Sequence, residues 1–238
     1  MKILLIRHGD PDYEHDSLTE KGWREAEQLS QRLIQLPVRD FYVSPLGRAQ
    51  ATAGVTLQKL GRTAETLDWL REFHGRIVNP MQGNWRIPWD LMPLYWTRQD
   101  ELYDVDRWTE NGLYQTGDVE KIYREMAQGV DELLARYGYR RKGRYYEVEP
   151  GGGNEDTLVL FCHFGISAAI LSYLIGTSPL VLWQGMFFAP TSVTTVVTEE
   201  RMPGIASFRC IGAGDVSHLY AGGEPMSRSG LFEETAKK

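Results

Sequence analysis

Three short residue sets in this chain could do chemistry together: Arg7-His8-Gly9, Ser44 leading through Pro45, Leu46 and Gly47 to Arg48, and His163-Phe164-Gly165. Each follows an apolar run, so each stands where a buried strand would end. Two histidines and two arginines brought into one strand-end crevice would repel one another unless an anion neutralised them. Phosphate is the ligand that such a set of donors implies. Arg48 strengthens the case, because it falls in the first turn of a predicted helix, where the helix field favours an anion and opposes a cation. A bound counter-charge is expected there.

The elements that must position these groups follow from periodicity. Residues 2–6 and 157–162 are continuous apolar runs, as expected of strands covered on both faces, and Asp40-Phe41-Tyr42-Val43 is a third strand. Trp23, Ala26, Leu29, Leu33 and Leu36 form one helical stripe behind an N-cap at Thr19, with Pro37 as the stop. Ser44 and Pro45 read as the N-cap and first position of the next helix, whose stripe runs from Leu46 to Leu60 and closes at Gly61. A short strand covers 64–67. A long amphipathic helix runs from Val119 to Tyr137 and stops at Gly138, and 166–175 is a buried helix. Residues 140–144 read as a solvated basic connector, 145–148 as a strand and 150–154 as a turn. Residues 192–198 and 205–211 make a hairpin. Strands alternating with helices predict an α/β fold with a mainly parallel sheet, helices on both faces and ligands at the carboxyl ends of the strands. No linker splits the chain, so residues 1–238 are expected to form one domain. It carries an inserted, aromatic-rich, partly helical segment at about 75–115 and a polar, partly mobile C-terminal tail at about 214–238.

Composition sets the outer bounds. The 238 residues are 42% hydrophobic and 24% charged, and 26 Lys plus Arg against 32 Asp plus Glu give a net charge of -6. That balance argues against a nucleic-acid partner. The amino-terminal apolar run, cut off at Arg7, is too short for a secretory signal, and no stretch is long enough to span a membrane. Cys162 and Cys210 lie in apolar strand-like runs, where buried thiols are commoner than a disulfide. A cytoplasmic protein without a membrane partner is expected.

The three sets, together with Glu72 a few residues past a strand, resemble the histidine phosphatase superfamily, whose fold is phosphoglycerate mutase-like, a three-layer α/β/α arrangement. The resemblance spans roughly residues 1–75 and 116–212 and implies a phosphomonoester hydrolase. His8 would be the nucleophile, passing through a phosphohistidine. Arg7 and Arg48 would keep its imidazole neutral, and with His163 they would donate to the non-bridging oxygens of the transferring group. Gly9 would let the main chain turn so that a backbone carbonyl holds the other ring nitrogen, and Ser44, Phe164 and Gly165 would border the phosphate. Glu72 would be the general acid and then the base for water, with Asp10 as its rival. No metal or other cofactor is implied. The ligands would be a small phosphate ester and the inorganic phosphate released from it.

Three further comparisons bear on activity. His-Phe-Gly at the second histidine resembles the branch with His-x-Gly there, not the phytase branch with His-Asp. Asp10-Pro11-Asp12-Tyr13 and Glu72-Phe73-His74-Gly75 depart from the mutases' loop motifs, which leaves phosphoglycerate-mutase-type transfer as the alternative. A non-catalytic binding protein of the same fold is the remaining class, and it would have no chemical need of all five groups. The tryptophan-rich segment, with five of the seven tryptophans between residues 69 and 108, could build its own small core, roof the crevice, or do both. Arg71, Arg76, Arg86 and Arg98 are its candidates for recognising the rest of a substrate. The glycine run 151–153 lacks the following Lys-Ser/Thr of a phosphate loop.

Overall fold

The computed structural model describes residues 1–150 and 153–232. Eight strands form one sheet: β1 (Lys2–Arg7), β2 (Val38–Val43), β3 (Glu65–Thr66), β4 (Tyr139–Lys142), β5 (Tyr145–Val148), β6 (Thr157–Cys162), β7 (Val193–Met202) and β8 (Ile205–Asp215). Their order is β3-β2-β6-β1-β7-β8-β5-β4. The core strands β1, β6, β2 and β3 are mutually parallel. From β7 onward every pairing is antiparallel.

Alternation along β1 assigns its side chains to two layers. Leu4 and Ile6, with Phe41, Val43, Val159 and Phe161, pack against α1 (Glu20–Leu33) and α2 (Gly47–Leu60). Ile3 and Leu5, with Leu158 and Leu160, face a larger layer that includes α3 (Val119–Ala135), α4 (Phe164–Ile175) and α5 (Pro179–Gly185). Each fully buried aliphatic side chain of this kind contributes roughly 1.5–3 kcal/mol over its exposed state. The three parallel strands end within one residue of each other, Arg7 opposite Cys162 and Val43 opposite Phe161, which brings the chemical residues that follow them together.

Several expectations need correction. The second helix is capped not at Ser44 but at Leu46, with Gly47 as its first residue. The Ser44 hydroxyl is engaged elsewhere, as described below. Residues 140–144 are not a solvated connector, because Tyr139–Lys142 pairs with Tyr145–Val148 across a turn at Gly143. The charges hid this strand. Arg141 lies over the Tyr173 ring at 3.7 Å and pairs with Asp131, while Arg140 pairs outward with Glu149. The buried helix starts at Phe164 rather than Ile166. The tail is built into the fold as far as Ser227: β8 runs to Asp215, α6 (Ser217–Ala221) packs on α1, and Glu224 and Ser227 bond Lys21 and Asp10. The turn expected at 150–154 falls partly outside the described residues, as do residues 233–238. Cys162 and Cys210 are free thiols. Among the described residues no helix is long and apolar enough to cross a membrane.

One buried charge gives a stability prediction. Glu25, fully buried on α1, accepts from the Asp10 amide at 2.8 Å and lies 3.5 Å from Lys21 Nζ. Burial pushes its carboxyl up to about 7. The fold then holds a proton that the unfolded chain releases near 4.5, so stability falls as pH rises through that window, by about 1.4 kcal/mol for each pH unit. Glu25→Gln should flatten the dependence of Tm on pH between about 4.5 and 7. An unchanged slope would contradict the assignment.

Candidate active site

His8 stands just past β1, with its main-chain N–H donating to Cys162 O at 3.0 Å. Its ring Nδ1 donates to Gly9 O at 2.7 Å, which fixes the neutral tautomer and leaves the lone pair on Nε2. Gly9 donates to Thr52 Oγ1 at 2.9 Å, and a Cβ here would come within 2.8 Å of Gly22 O, so only glycine allows this close approach to α1. Burial is the main cause that drives the His8 imidazole well below its ordinary pKa, and Arg7 and Arg48 add to it. An imidazole that is neutral at neutral pH is the result.

His163 lies against His8, with ring centroids 5.0 Å apart. Its pKa too is driven well down by burial, then by His8, Arg48 and Arg7. The Nε2 atom is 2.7 Å from Ser44 Oγ, which itself accepts from the Leu46 amide at 3.2 Å. With that lone pair used, the hydroxyl can donate to Nε2 and place the His163 proton on Nδ1. The Ser44 hydroxyl thus meets the His163 ring instead of capping a helix.

The two arginines are held by their ends. Arg7 Nη1 donates to Phe188 O at 2.7 Å, and its guanidinium lies between Phe164 and Phe187, 5.9 and 5.8 Å from their ring centroids. Arg48 Nη1 donates to Asp16 Oδ1 at 2.6 Å, and Asp16 Oδ2 accepts from the Gly47 amide at 2.6 Å. Part of the counter-charge expected at Arg48 thus comes from the protein itself. Arg7 Nε, Arg48 Nε and His163 Nδ1 nevertheless remain buried polar atoms without a protein partner. Leaving a buried donor unpaired costs about 1–3 kcal/mol, a cost that an oxyanion accepting from these groups would remove.

Glu72 Oε1 accepts from the Phe73 amide at 2.8 Å and the Ile166 amide at 3.1 Å. Burial raises the pKa of its carboxyl despite these bonds and the Arg7 and Arg48 charges. The rival, Asp10, is committed elsewhere: its oxygens accept from Thr19 Oγ1 at 2.8 Å and from the Ser227 hydroxyl. Trp89 of the inserted segment packs edge-on to Phe164 and lies against Gly165, where a Cβ would come 2.2 Å from its ring and 2.9 Å from Glu72 Oε1. Trp108 and Tyr114 are instead buried with Trp183, so the segment both builds core and reaches the site. Arg71 and Arg86 pair with Asp68 and Asp90.

Gly165→Ala is expected to displace Trp89 or the Glu72 carboxylate and lower turnover at least about tenfold, with overpacking costing about 1–3 kcal/mol. Turnover and a denaturant melt on the same sample check it, and wild-type turnover would contradict the placement. Sequence reasoning did not single out Asp16, Thr52 or Trp89. Thr52 carried a usable signal: it lies one helical turn beyond Arg48, and its hydroxyl donates to Arg48 O at 2.8 Å.

Comparison with known proteins places this geometry. A family model described as the histidine phosphatase superfamily (branch 1) matches residues 3–210. The 2,3-bisphosphoglycerate-dependent phosphoglycerate mutase of Thermoplasma acidophilum is 35% identical over 77 residues, 28% of this chain and 38% of that protein. A probable phosphoglycerate mutase of Cronobacter sakazakii is 37% identical over 70 residues, 26% of this chain and 33% of that protein. The matched stretch is thus only about a third of either relative. Among solved structures, mycobacterial glucosyl-3-phosphoglycerate phosphatase with inorganic phosphate superposes with a TM-score of 0.61 at 20% identity, covering 91% of this chain and 98% of that one. A mutant phosphoserine phosphatase from Entamoeba histolytica in complex with phosphoserine gives 0.60 at 17% identity, covering 92% and 98%. At these identities the likeness is one of fold.

Proposed function

The chain belongs to the histidine phosphatase superfamily, and on that footing we propose that it hydrolyses small phosphate monoesters through a phosphohistidine on His8, without a resident metal. The observation that carries this reading is the 2.7 Å bond from His8 Nδ1 to Gly9 O, which leaves Nε2 as the nucleophilic atom beside His163, Arg7 and Arg48. Nε2 attacks phosphorus as the ester oxygen departs. Arg7, Arg48 and His163 Nδ1 donate to the non-bridging oxygens, and protonated Glu72 delivers its proton to the leaving oxygen. The resulting Glu72 carboxylate then takes a proton from water as it attacks the phosphohistidine, which releases phosphate and restores both residues. Gly9, Phe164 and Gly165 shape the crevice that admits the phosphate, and the His-x-Gly form of the second motif fits the branch whose model matches. Free thiols at Cys162 and Cys210 fit a cytoplasmic location.

The test is release of phosphate from an aryl phosphate with and without chelator, followed by trapping of an acid-labile, base-stable phosphoprotein. Activity that a chelator removes, or turnover with no trapped adduct, would refute the mechanism. A mutase reading is favoured by the two curated relatives, both phosphoglycerate mutases. Against it stand Asp10-Pro11-Asp12-Tyr13 and Glu72-Phe73-His74-Gly75, neither of which has the mutase form. Interconversion of phosphoglycerate isomers much faster than their hydrolysis would reverse the ranking. The substrate class offered is broad: neighbours of this fold are named for phosphoserine and glucosyl-3-phosphoglycerate, and a panel of phosphate esters would narrow it.

A further inference from the structure

Thr191, just before β7, is fully buried and has φ 56°, in the left-handed region. Asp16 is the other non-glycine residue at positive φ among the described residues. For a β-branched residue this conformation is a strained outlier, and it persists only where its surroundings hold it. Thr191 is held on two sides. Its N–H is 3.0 Å from Arg7 O and 3.1 Å from His8 O, so one amide bonds the carbonyls of two successive residues, the nucleophile and the one before it. Its hydroxyl donates to Pro190 O at 2.8 Å and lies 3.2 Å from His218 Nε2 on α6.

We propose that Thr191 is a positioning residue for the phosphoryl-transfer step, its strained turn aiming His8. The proposal rests on the phosphohistidine reading above. The His8 carbonyl that Thr191 holds belongs to the peptide joining His8 to Gly9, and the next peptide supplies the Gly9 oxygen that orients the ring. Freedom at that first peptide becomes freedom in the direction of Nε2. In-line attack tolerates little of it, since a misplacement of about 1 Å can cost about 100-fold. Two of the three phosphate donors are fixed away from this turn, Arg48 by Asp16 and His163 by Ser44, and the Arg7 guanidinium keeps its own bond to Phe188 O. Loss of the Thr191 turn should therefore weaken chemistry and leave phosphate affinity in place.

Thr191→Val keeps the branched shape and the N–H but loses the hydroxyl ties, whereas Thr191→Ser keeps them. The readouts are the single-turnover rate of phosphoenzyme formation, kcat against KM, and the inhibition constant of inorganic phosphate. Thr191→Val is expected to slow phosphoenzyme formation by about 10–100-fold with the phosphate inhibition constant within about threefold of wild type, and Thr191→Ser should restore the rate. A wild-type rate in Thr191→Val, an equal loss in phosphate affinity, or failure of Thr191→Ser to restore the rate would overturn the proposal. If Thr191→Val does not fold, Thr191→Gly, which removes both ties and the steric penalty, should fold with an unlowered Tm and still be slow. Turnover by wild-type protein without any His8 adduct would instead refute the underlying functional reading, and trapping on wild type separates the two.

Discussion

His8→Ala is expected to abolish turnover, by at least about 10⁴-fold, while phosphate still binds. The substitution deletes the attacking atom and little else. The main-chain bond from residue 8 to Cys162 O and the clamp from Thr191 are backbone contacts that alanine keeps. Arg7, Arg48 and His163 hold their partners without help from the His8 ring. Calorimetric binding of inorganic phosphate to His8→Ala, set beside its turnover of an aryl phosphate, separates lost chemistry from lost fold. Activity above about a thousandth of wild type with phosphate bound would mean that another group attacks. Loss of binding as well would mean that His8 holds the site together instead of reacting in it.

The groups in that experiment were legible because each terminates an apolar run: Ile6 leads to Arg7 and His8, Val43 to Ser44, Cys162 to His163. In a parallel sheet, registered strand ends converge whatever the loops do. What the sequence concealed was the set of partners that aim them. Asp16 supports Arg48 from a loop that has no periodicity of its own, and Ser44 looks like a cap because Ser-Pro before a helical stripe is one of the commonest cap signals. Its hydroxyl is drawn to His163 instead, since a buried imidazole nitrogen needs a partner and the end of α2 has Asp16 in its place. Tyr139–Lys142 was hidden for a related reason. Alternation of buried and exposed positions cannot be seen in a run of cations, and the half-buried Arg141 is accommodated by the Tyr173 and Tyr146 rings, the Tyr146 hydroxyl and Asp131. Trp89 could be expected to serve core or roof, but the choice depends on Gly165, nearly eighty residues away.

Glu72→Gln gives the second large effect, and its size should depend on the ester. Glutamine can keep the bonds from the Phe73 and Ile166 amides through its carbonyl oxygen, so the loop stays in place and the proton alone is lost. For an alkyl phosphate, whose oxygen must be protonated to leave, kcat/KM should fall by about 10²–10⁴-fold. In wild type that rate should decline as pH rises through the upward-shifted pKa of Glu72, because the acid form does the work; in Glu72→Gln this limb should vanish. A nitrophenyl phosphate expels a stable anion unaided, so formation of the phosphoenzyme should be much less affected. Its hydrolysis still lacks the carboxylate that activates water. The variant should therefore show a burst of nitrophenolate close to one per site followed by slow turnover, with phosphohistidine accumulating on His8. Equal losses for both esters and no burst would remove Glu72 from the acid role, and with Asp10 bound to Thr19 and Ser227 the proton would have to come from solvent.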